Sequence, residues 1–562
     1  MYMTFINYTT IQNAYEERPK NTMNKHLSVQ QIENTNRFGY FCLFVGMLLS
    51  LFAANGHWDV PLAAWLTPLF LLRFMRTRKP LGGFLGVWLV SVVTMLFWLY
   101  CSKFYDSAIF SVANLFILAI FLLSHTLLAL PYLLDRLLTP RLSQVSGWLA
   151  TLVFPLGLVA CEYINALVVP YGFFFSLGST QYGNLPLLQI AAITGIYGVS
   201  FLVAWFGSVA NWIWEQRFSW PRIRTATLLY GSVLLLVLLG GGVRLAFFAP
   251  NAQTVRVAGV STSRTIYQQA MNSIDPERHP DRAQTRAAYT AIENNLLEAS
   301  QREARDGAKI VSWPEIEVST LPEDEANLVA RGETLARTEH IYLEMAYRVV
   351  QLDQTPLHNR AVLIDPTGRM LWTYDKAHPI MGGDPSIPGN GIVPVVDTSY
   401  GRFSNVICID AFYPTLMHQT GNRGIDIMIV PSQEWAGSDG SSFVWVPQET
   451  TLRAIEYGYS LVRQANGDVS MTVDYQGRVL VATDYYTTDQ PTMIAYVPVK
   501  GTRTIYGLVG DLFTWLCIAT LLVLTTFAVI LSLRKPANSQ ALTSEPSSAS
   551  VEEKQVVKTG TL

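Results

Sequence analysis

Long stretches of this sequence hold almost no charge. Between Pro80 and Leu134 the charged residues are Lys103 and Asp106, and between Gly147 and Trp214 there is Glu162 alone. Charged residues make up 15% of the 562, against roughly a quarter in soluble proteins. A helix of roughly 20 apolar residues crosses the hydrocarbon core of a bilayer, about 30 Å thick. Eight stretches fit that description: about 38–54, 58–73, 81–101, 109–131, 147–168, 188–213, 225–248 and 507–533. The second is short and interrupted. The pattern predicts a polytopic α-helical membrane domain of about eight spans and excludes an ordinary soluble enzyme.

Basic residues set the orientation. Lys20, Lys25 and Arg37 precede the first stretch, Arg73, Arg76, Arg78 and Lys79 follow the second, and Arg136 and Arg141 follow the fourth. Arg217, Arg222 and Arg224 follow the sixth, and Arg534 and Lys535 the last. The alternate short loops are almost free of them. By the positive-inside rule both termini are cytoplasmic, and the block at about 251–503 lies outside the cytoplasm. Residues 1–37 read as a polar cytoplasmic tail with no cleavable signal. Residues 536–562, rich in Ser, Thr, Glu and Lys, read as a disordered cytoplasmic tail. With 40 basic and 42 acidic residues, the chain lacks the clustered basic excess of a nucleic-acid binder.

The outer block has the length of one large domain. Val255–Val260, Lys309–Ser312, Asn405–Ile409 and Ile425–Val430 read as strands, as do four segments between Ser460 and Val499. Ala361–Asp365 and Met370–Tyr374 read as a hairpin around Pro366-Thr367-Gly368. Asp281–Arg305, Thr338–Val350 and Ser442–Tyr457 read as helices. This alternation predicts a layered α/β fold.

Three polar residues stand just beyond predicted strands. Cys42, Cys101, Cys161 and Cys517 fall inside apolar stretches, and Cys408 is the one cysteine of the outer block. Glu315 follows Ser312-Trp313-Pro314, and Lys376 opens a loop that leads to Gly382-Gly383-Asp384. Taken singly, a buried structural thiol, a solvated glutamate and a surface lysine describe them equally well. Together they supply a nucleophile, a base and a cation, the set that covalent acyl chemistry needs. The eight histidines are scattered without metal-ligand spacing, and there is no Walker-type phosphate loop. No metal and no cofactor are expected.

Further motifs join these: Trp313-Pro314-Glu315, Tyr374-x-Lys376-x-His378, Ile407-Cys408, Leu452-Arg453-Ala454-Ile455-Glu456 and Arg463 through Ser470. Within the membrane, Gln189 to Gly195 with Gly198, Ser200 and Phe201 adds another. On these residues the outer block resembles the nitrilase (carbon–nitrogen hydrolase) superfamily. Over about 38–533 the chain resembles its membrane branch, the apolipoprotein N-acyltransferases. The resemblance implies seven spans (38–248), an extracytoplasmic nitrilase-like αββα sandwich (251–503) and a C-terminal span (507–533). It implies Cys408 as nucleophile, Glu315 as base and Lys376 as oxyanion stabiliser, with Asp384 and Asp410 as supporting carboxylates. The donor would be a membrane phospholipid, whose acyl chain passes through a cysteine thioester. The acceptor would be the N-terminal amine of a diacylated apolipoprotein. The setting would be a multi-pass protein of the bacterial cytoplasmic (inner) membrane, active on its outer side as a monomer. A membrane-anchored amidase with water as acceptor would use the same triad, but eight spans exceed what an anchor needs.

The sequence departs from the family pattern at several points. Ile409 stands where Tyr is usual, Asp410 and Asp384 where Glu is usual, and Ser432-Gln433-Glu434-Trp435-Ala436 where the family has Ser-Asn-Asp-x-Trp-Phe. The His usual before Arg453 is absent, with Gln448 and Glu449 nearby, and Ala166 and Leu167 stand where Arg is common. Trp435 reads as an apolar contact for lipid or as local packing. Glu162 reads as a functional intramembrane carboxylate or as one that reaches water at the end of its span.

Overall fold

A chain with no charge to offer water satisfies its backbone internally, and in apolar surroundings that means helix. The computed structural model describes residues 36–533 except 54–58, 102–111, 170–171, 173–175, 251–252, 275–280, 353–355, 382–383 and 435–444. The expected tails therefore lie outside it, save Asn36 and Arg37. The first seven helices to consider are α1 (Asn36–Ser50), α2 (Pro61–Arg76), α3 (Pro80–Cys101), α4 (Val112–Leu142), α5 (Val153–Val168), α6 (Ile196–Glu215) and α7 (Trp220–Phe247). A C-terminal helix, Leu512–Leu533, closes the bundle.

Among the described residues six helical segments are long and apolar enough to cross a membrane: Pro80–Cys101, Leu115–Leu142, Gly147–Val168, Ile196–Glu215, Trp220–Phe247 and Leu512–Leu533. The other two expected spans are shorter. α1 and α2 have 15 and 16 residues, and 16 residues rise only about 24 Å. The sixth span also begins later than expected. Residues 185–194 form two separate short turns, and α6 starts only after Gly195. Gly195 has φ +66, and a Cβ there would lie 2.6 Å from the Tyr506 ring. Both facts call for glycine and end the helix at that point.

Burial ranks the spans. Of the apolar windows, 78% of that ending in α5 and 72% of that in α6 are buried, against 17% to 39% in the other four. α5 and α6 are therefore the centre, and leucines on α3, α4, α7 and the C-terminal helix face outward. One end of the bundle is held by arginine. Arg76 donates two 2.8 Å bonds to Asp135, and Arg73 and Arg76 reach Glu215 at 3.5 and 3.2 Å. The other end carries the α/β domain.

That domain is two sheets face to face. The strands are β1 (Thr254–Val260), β2 (Ile310–Ser312), β3 (Val318–Thr320), β4 (Tyr342–Val350), β5 (Pro356–Ile364), β6 (Met370–Asp375), β7 (Val395–Thr398), β8 (Gly401–Asn405), β9 (Ile427–Gln433), β10 (Ser460–Asn466), β11 (Val469–Val473), β12 (Val479–Asp484) and β13 (Thr492–Pro498). One sheet runs β13-β1-β2-β4-β5-β6 with β3 on β4, and the other runs β12-β11-β10-β9-β8-β7. Val257, Ile310 and Leu363 of the first meet Phe403, Ile429 and Val462 of the second in one apolar core. Helices Arg282–Arg305 and Glu325–Glu339 cover the first sheet, and helices Pro414–Gly421 and Trp445–Tyr457 cover the second. The order is α-β-β-α, the sandwich that the resemblance implies.

Two local expectations are corrected. Thr338–Val350 is not a helix: the preceding helix ends at Glu339 and Tyr342–Val350 is the central strand β4. Its Leu, Glu, Met and Ala favour helix locally, but both of its faces are buried between neighbouring strands and layers, and tertiary context wins. The strand expected at Asn405–Ile409 ends at Asn405, and Cys408 opens a tight 3₁₀ turn, Cys408–Phe412.

Candidate active site

Three loops leave the sandwich at neighbouring strand ends, and each delivers one polar side chain. β2 stops at Ser312, where the Trp313 indole is tied to Ser300 Oγ (2.8 Å), so the Pro314-Glu315 turn has a fixed root. Glu315 is 1% exposed. Its Oε1 accepts from Lys376 Nζ at 2.6 Å and from Asn359 Nδ2 at 2.7 Å, and its Oε2 accepts from the Gln433 amide at 2.9 Å. Lys376 leaves β6 and is 2% exposed. Its amide donates to Asn359 and its carbonyl accepts from Gly389, each at 2.8 Å, so the backbone is pinned on both sides.

Cys408 has φ +49, a left-handed conformation that a residue with a Cβ adopts only at some energetic cost. The kink turns the sulfur out of the strand direction toward Gln433 and Glu434. Sγ–H donates to the Gln433 carbonyl at 3.7 Å and to Glu434 Oε1 at 3.9 Å. Burial, then Glu315 and Glu434, push the thiol well above its ordinary pKa, while Lys376 and Arg463 pull it down. The resting sulfur is therefore a thiol and needs a base to become a nucleophile. For the Lys376 ammonium burial works downward, but Glu315, Cys408 and Asp384 outweigh it and hold it charged. A carboxylate, a cation and a thiol thus meet in one buried cluster, the set that acyl transfer through a thioester needs.

The supporting carboxylates are both close. Asp384 Oδ2 lies 3.5 Å from Lys376 Nζ and accepts from Asn359 Nδ2 at 3.0 Å, while Ser386 holds Oδ1. The shorter side chain reaches the site after all. Asp410 does a different job. It accepts from Tyr374 Oη (2.6 Å), the Ala377 amide (3.1 Å), and both the amide (2.8 Å) and Nδ1 (3.0 Å) of His378. It ties the Cys408 turn to the loop carrying Lys376.

The remaining expected residues separate. Trp435 lies outside the described residues. Glu162 is 4% exposed and lines a cavity between the helices with Thr94, His125 and Leu177. Its Oε1 accepts from the Leu177 amide (2.7 Å) and its Oε2 from Ser176 Oγ (3.2 Å), which fixes a loop within the bundle. Asn359 was missed; it stands between His358 and Arg360 in the polar first half of β5, where nothing local marks it. Arg453 and Glu456 also proved to have specific partners. Arg453 donates to the Ala411 (2.8 Å) and Phe412 (3.3 Å) carbonyls at the end of the Cys408 turn and to Glu456 (2.6 Å). Glu456 in turn accepts from the Ile196 amide at the start of α6 (2.8 Å).

The site faces the membrane helices. Cys408, Ile409 and Phe412 share one apolar cluster with Met95, Trp98 and Leu99 of α3, Ile117 and Phe121 of α4, and Ala166 of α5.

The chain matches two family models in succession. Residues 45–209 match the apolipoprotein N-acyltransferase N-terminal domain, and residues 283–506 match carbon-nitrogen hydrolase. An apolipoprotein N-acyltransferase of Geobacter metallireducens is 25% identical over 418 residues, covering 69% of this chain and 76% of the relative. Another, of Bradyrhizobium diazoefficiens, is 26% identical over 387 residues, covering 62% and 67%. Among solved structures, an amidase from Nesterenkonia sp. aligns with 44% of this chain and 92% of its own at 18% identity and a TM-score of 0.33. With a membrane bundle of the acyltransferase type leading into a carbon–nitrogen hydrolase sandwich, the chain belongs to the apolipoprotein N-acyltransferase family, the membrane branch of the nitrilase superfamily.

Proposed function

We propose that Cys408 takes a fatty acyl group from a membrane phospholipid as a thioester and passes it to the N-terminal amine of a diacylated lipoprotein. The observation that carries this reading is the shared cluster of Cys408, Ile409 and Phe412 with α3, α4 and α5. An acyl chain on this sulfur has apolar membrane helices beside it, whereas an amidase acting on water-soluble substrates needs no such wall.

The chemistry balances with the residues present. Glu315 takes the thiol proton as the sulfur attacks the ester carbonyl. Lys376 faces the oxyanion of the tetrahedral intermediate. On collapse the C–O bond breaks, Glu315 returns the proton to the glycerol oxygen, and lysophospholipid leaves. The amine then attacks the thioester, Glu315 takes an N–H proton, the C–S bond breaks, and the proton returns to sulfur. The product is an amide.

Denaturing mass spectrometry tests this. Protein incubated with phospholipid should gain one fatty-acyl mass on Cys408, and a diacylated lipopeptide should remove it as an amide. Discharge only to free fatty acid would favour the amidase. An adduct confined to Cys42, Cys101, Cys161 or Cys517 would refute the assignment of the nucleophile.

In this reading the protein is a multi-pass protein of the bacterial inner membrane, with the sandwich outside and both termini in the cytoplasm. The arginines at the bundle end away from the sandwich support it. Protease added to intact spheroplasts should cut within 251–503 and spare an epitope on the C-terminal tail; the reverse pattern would invert the topology.

A further inference from the structure

Glu315 has little capacity left for a second proton. Both of its oxygens already accept from Lys376, Asn359 and Gln433. Yet the acceptor amine brings two proton problems. A free α-amine titrates near 7.7–8.0, so at neutral pH it arrives mainly as an ammonium, which is not a nucleophile. One proton must leave before attack and another during it. Glu315, in its cycle with sulfur, accounts for the second only.

A second carboxylate is in place. Glu434 follows β9 directly, and its Oε1 lies 3.9 Å from Cys408 Sγ. An amine within attack range of the thioester carbon, about 3–3.5 Å, is within reach of that oxygen. Arg463 of β10, with a fully buried side chain, holds Glu434 by an ion pair and donates to the Val469 carbonyl at 2.9 Å. Arg463 also interacts electrostatically with Asp468, which is itself buried. Burial holds the Asp468 carboxyl well above the ordinary carboxylate range, so the charged couple beside the sulfur is Glu434 with Arg463. The titratable and charged groups around Glu434 are Cys408 on the 3₁₀ turn, Arg463 and Asp468 on and after β10, Glu315 after β2, and Lys376 after β6. Burial, opposed by Arg463 and aided by Glu315, raises the Glu434 carboxyl to about 7. That is close to the α-ammonium value, the match that makes a proton acceptor efficient.

We propose that Glu434, positioned by Arg463, binds the acceptor's α-ammonium and takes its first proton in the second half-reaction. The balance is R-NH3+ with the Glu434 carboxylate giving R-NH2 and the carboxylic acid. The free amine forms the C–N bond, Glu315 takes the second proton as the C–S bond breaks, and Glu434 later releases its own proton to water.

The inference rests on the acyltransfer reading, and the two half-reactions test them separately. Loading of Cys408 is read by mass spectrometry, and single-turnover transfer to a diacylated lipopeptide is followed from pH 6 to 9. In Glu434→Gln, transfer at pH 7 should fall at least about tenfold more than loading, toward the about 10²-fold worth of a proton-transfer group. The variant's transfer should climb about tenfold per pH unit until the amine's own titration near 8, while the wild type levels off at lower pH. Hydroxylamine, largely neutral at pH 7, should show no such selective deficit once the rate on denatured acyl-enzyme is subtracted. Equal loss of loading and transfer, a pH-independent deficit, or the same deficit with hydroxylamine would each overturn the proposal. If Glu434→Gln does not load at all, Glu434→Asp and the wild type decide. Both must level off below the amine's own value with the lipopeptide, and levelling only at that value overturns the proposal. Wild-type protein that never loads defeats the acyltransfer reading instead.

Discussion

Cys408→Ala should carry no acyl adduct after incubation with phospholipid, and its transfer to a lipopeptide should drop by about 10⁶, the scale on which removing a covalent nucleophile acts. The loss should be chemical rather than structural. The substitution removes one sulfur from a side chain that is 4% exposed, and the Arg453 contacts to Ala411 and Phe412 that hold the turn remain. The strain at φ +49 is shared by Ala and does not relax. Membrane insertion and yield should match the wild type. Acyl transfer surviving in this variant would remove Cys408 from the chemistry.

Lys376→Met should lose activity and stability together. Its ammonium is the cation that faces both Glu315 (2.6 Å) and Asp384 (3.5 Å). Taking one member from a buried charge set leaves the others unpaired and costs about 3–5 kcal/mol. Methionine fills much of the space, so the penalty is electrostatic. The loss of oxyanion stabilisation should slow loading by a further about 10²–10³. A thermal unfolding midpoint and a loading rate measured on the same preparation check both halves. A variant as stable as wild type would mean that Glu315 and Asp384 do not depend on this ammonium.

The site was legible where chemistry and local pattern coincide. Glu315, Lys376 and Cys408 each follow a short apolar run, and strand ends are where such a sandwich displays its side chains. The long helices were legible for the same reason, since a charge-free run of bilayer length leaves few alternatives. What escaped depends on partners distant in sequence. Asn359 matters because β5 runs beside the loops of Glu315 and Lys376, and nothing in residues 356–364 announces that. Glu434 sat in a segment read for its tryptophan, although the glutamate is what approaches the sulfur. β4 was misread as helix because its composition is helical and only its neighbours make it a strand. Glu162 was recognised as unusual, but its partners in the following loop are set by how that loop folds back.

The link from Arg453 through Glu456 to the first amide of α6 bears on whether the sandwich can be treated as cargo on a leash. A tethered cargo keeps its working shape whatever holds it. Here the guanidinium that secures the two carbonyls closing the Cys408 turn is itself neutralised by a carboxylate clasped to a membrane helix. Cutting the α/β domain free would leave Glu456 without that amide and slacken the turn from behind. The bundle is thus part of the machinery that aims the sulfur, and grafting the sandwich onto an unrelated anchor would not carry its reactivity along.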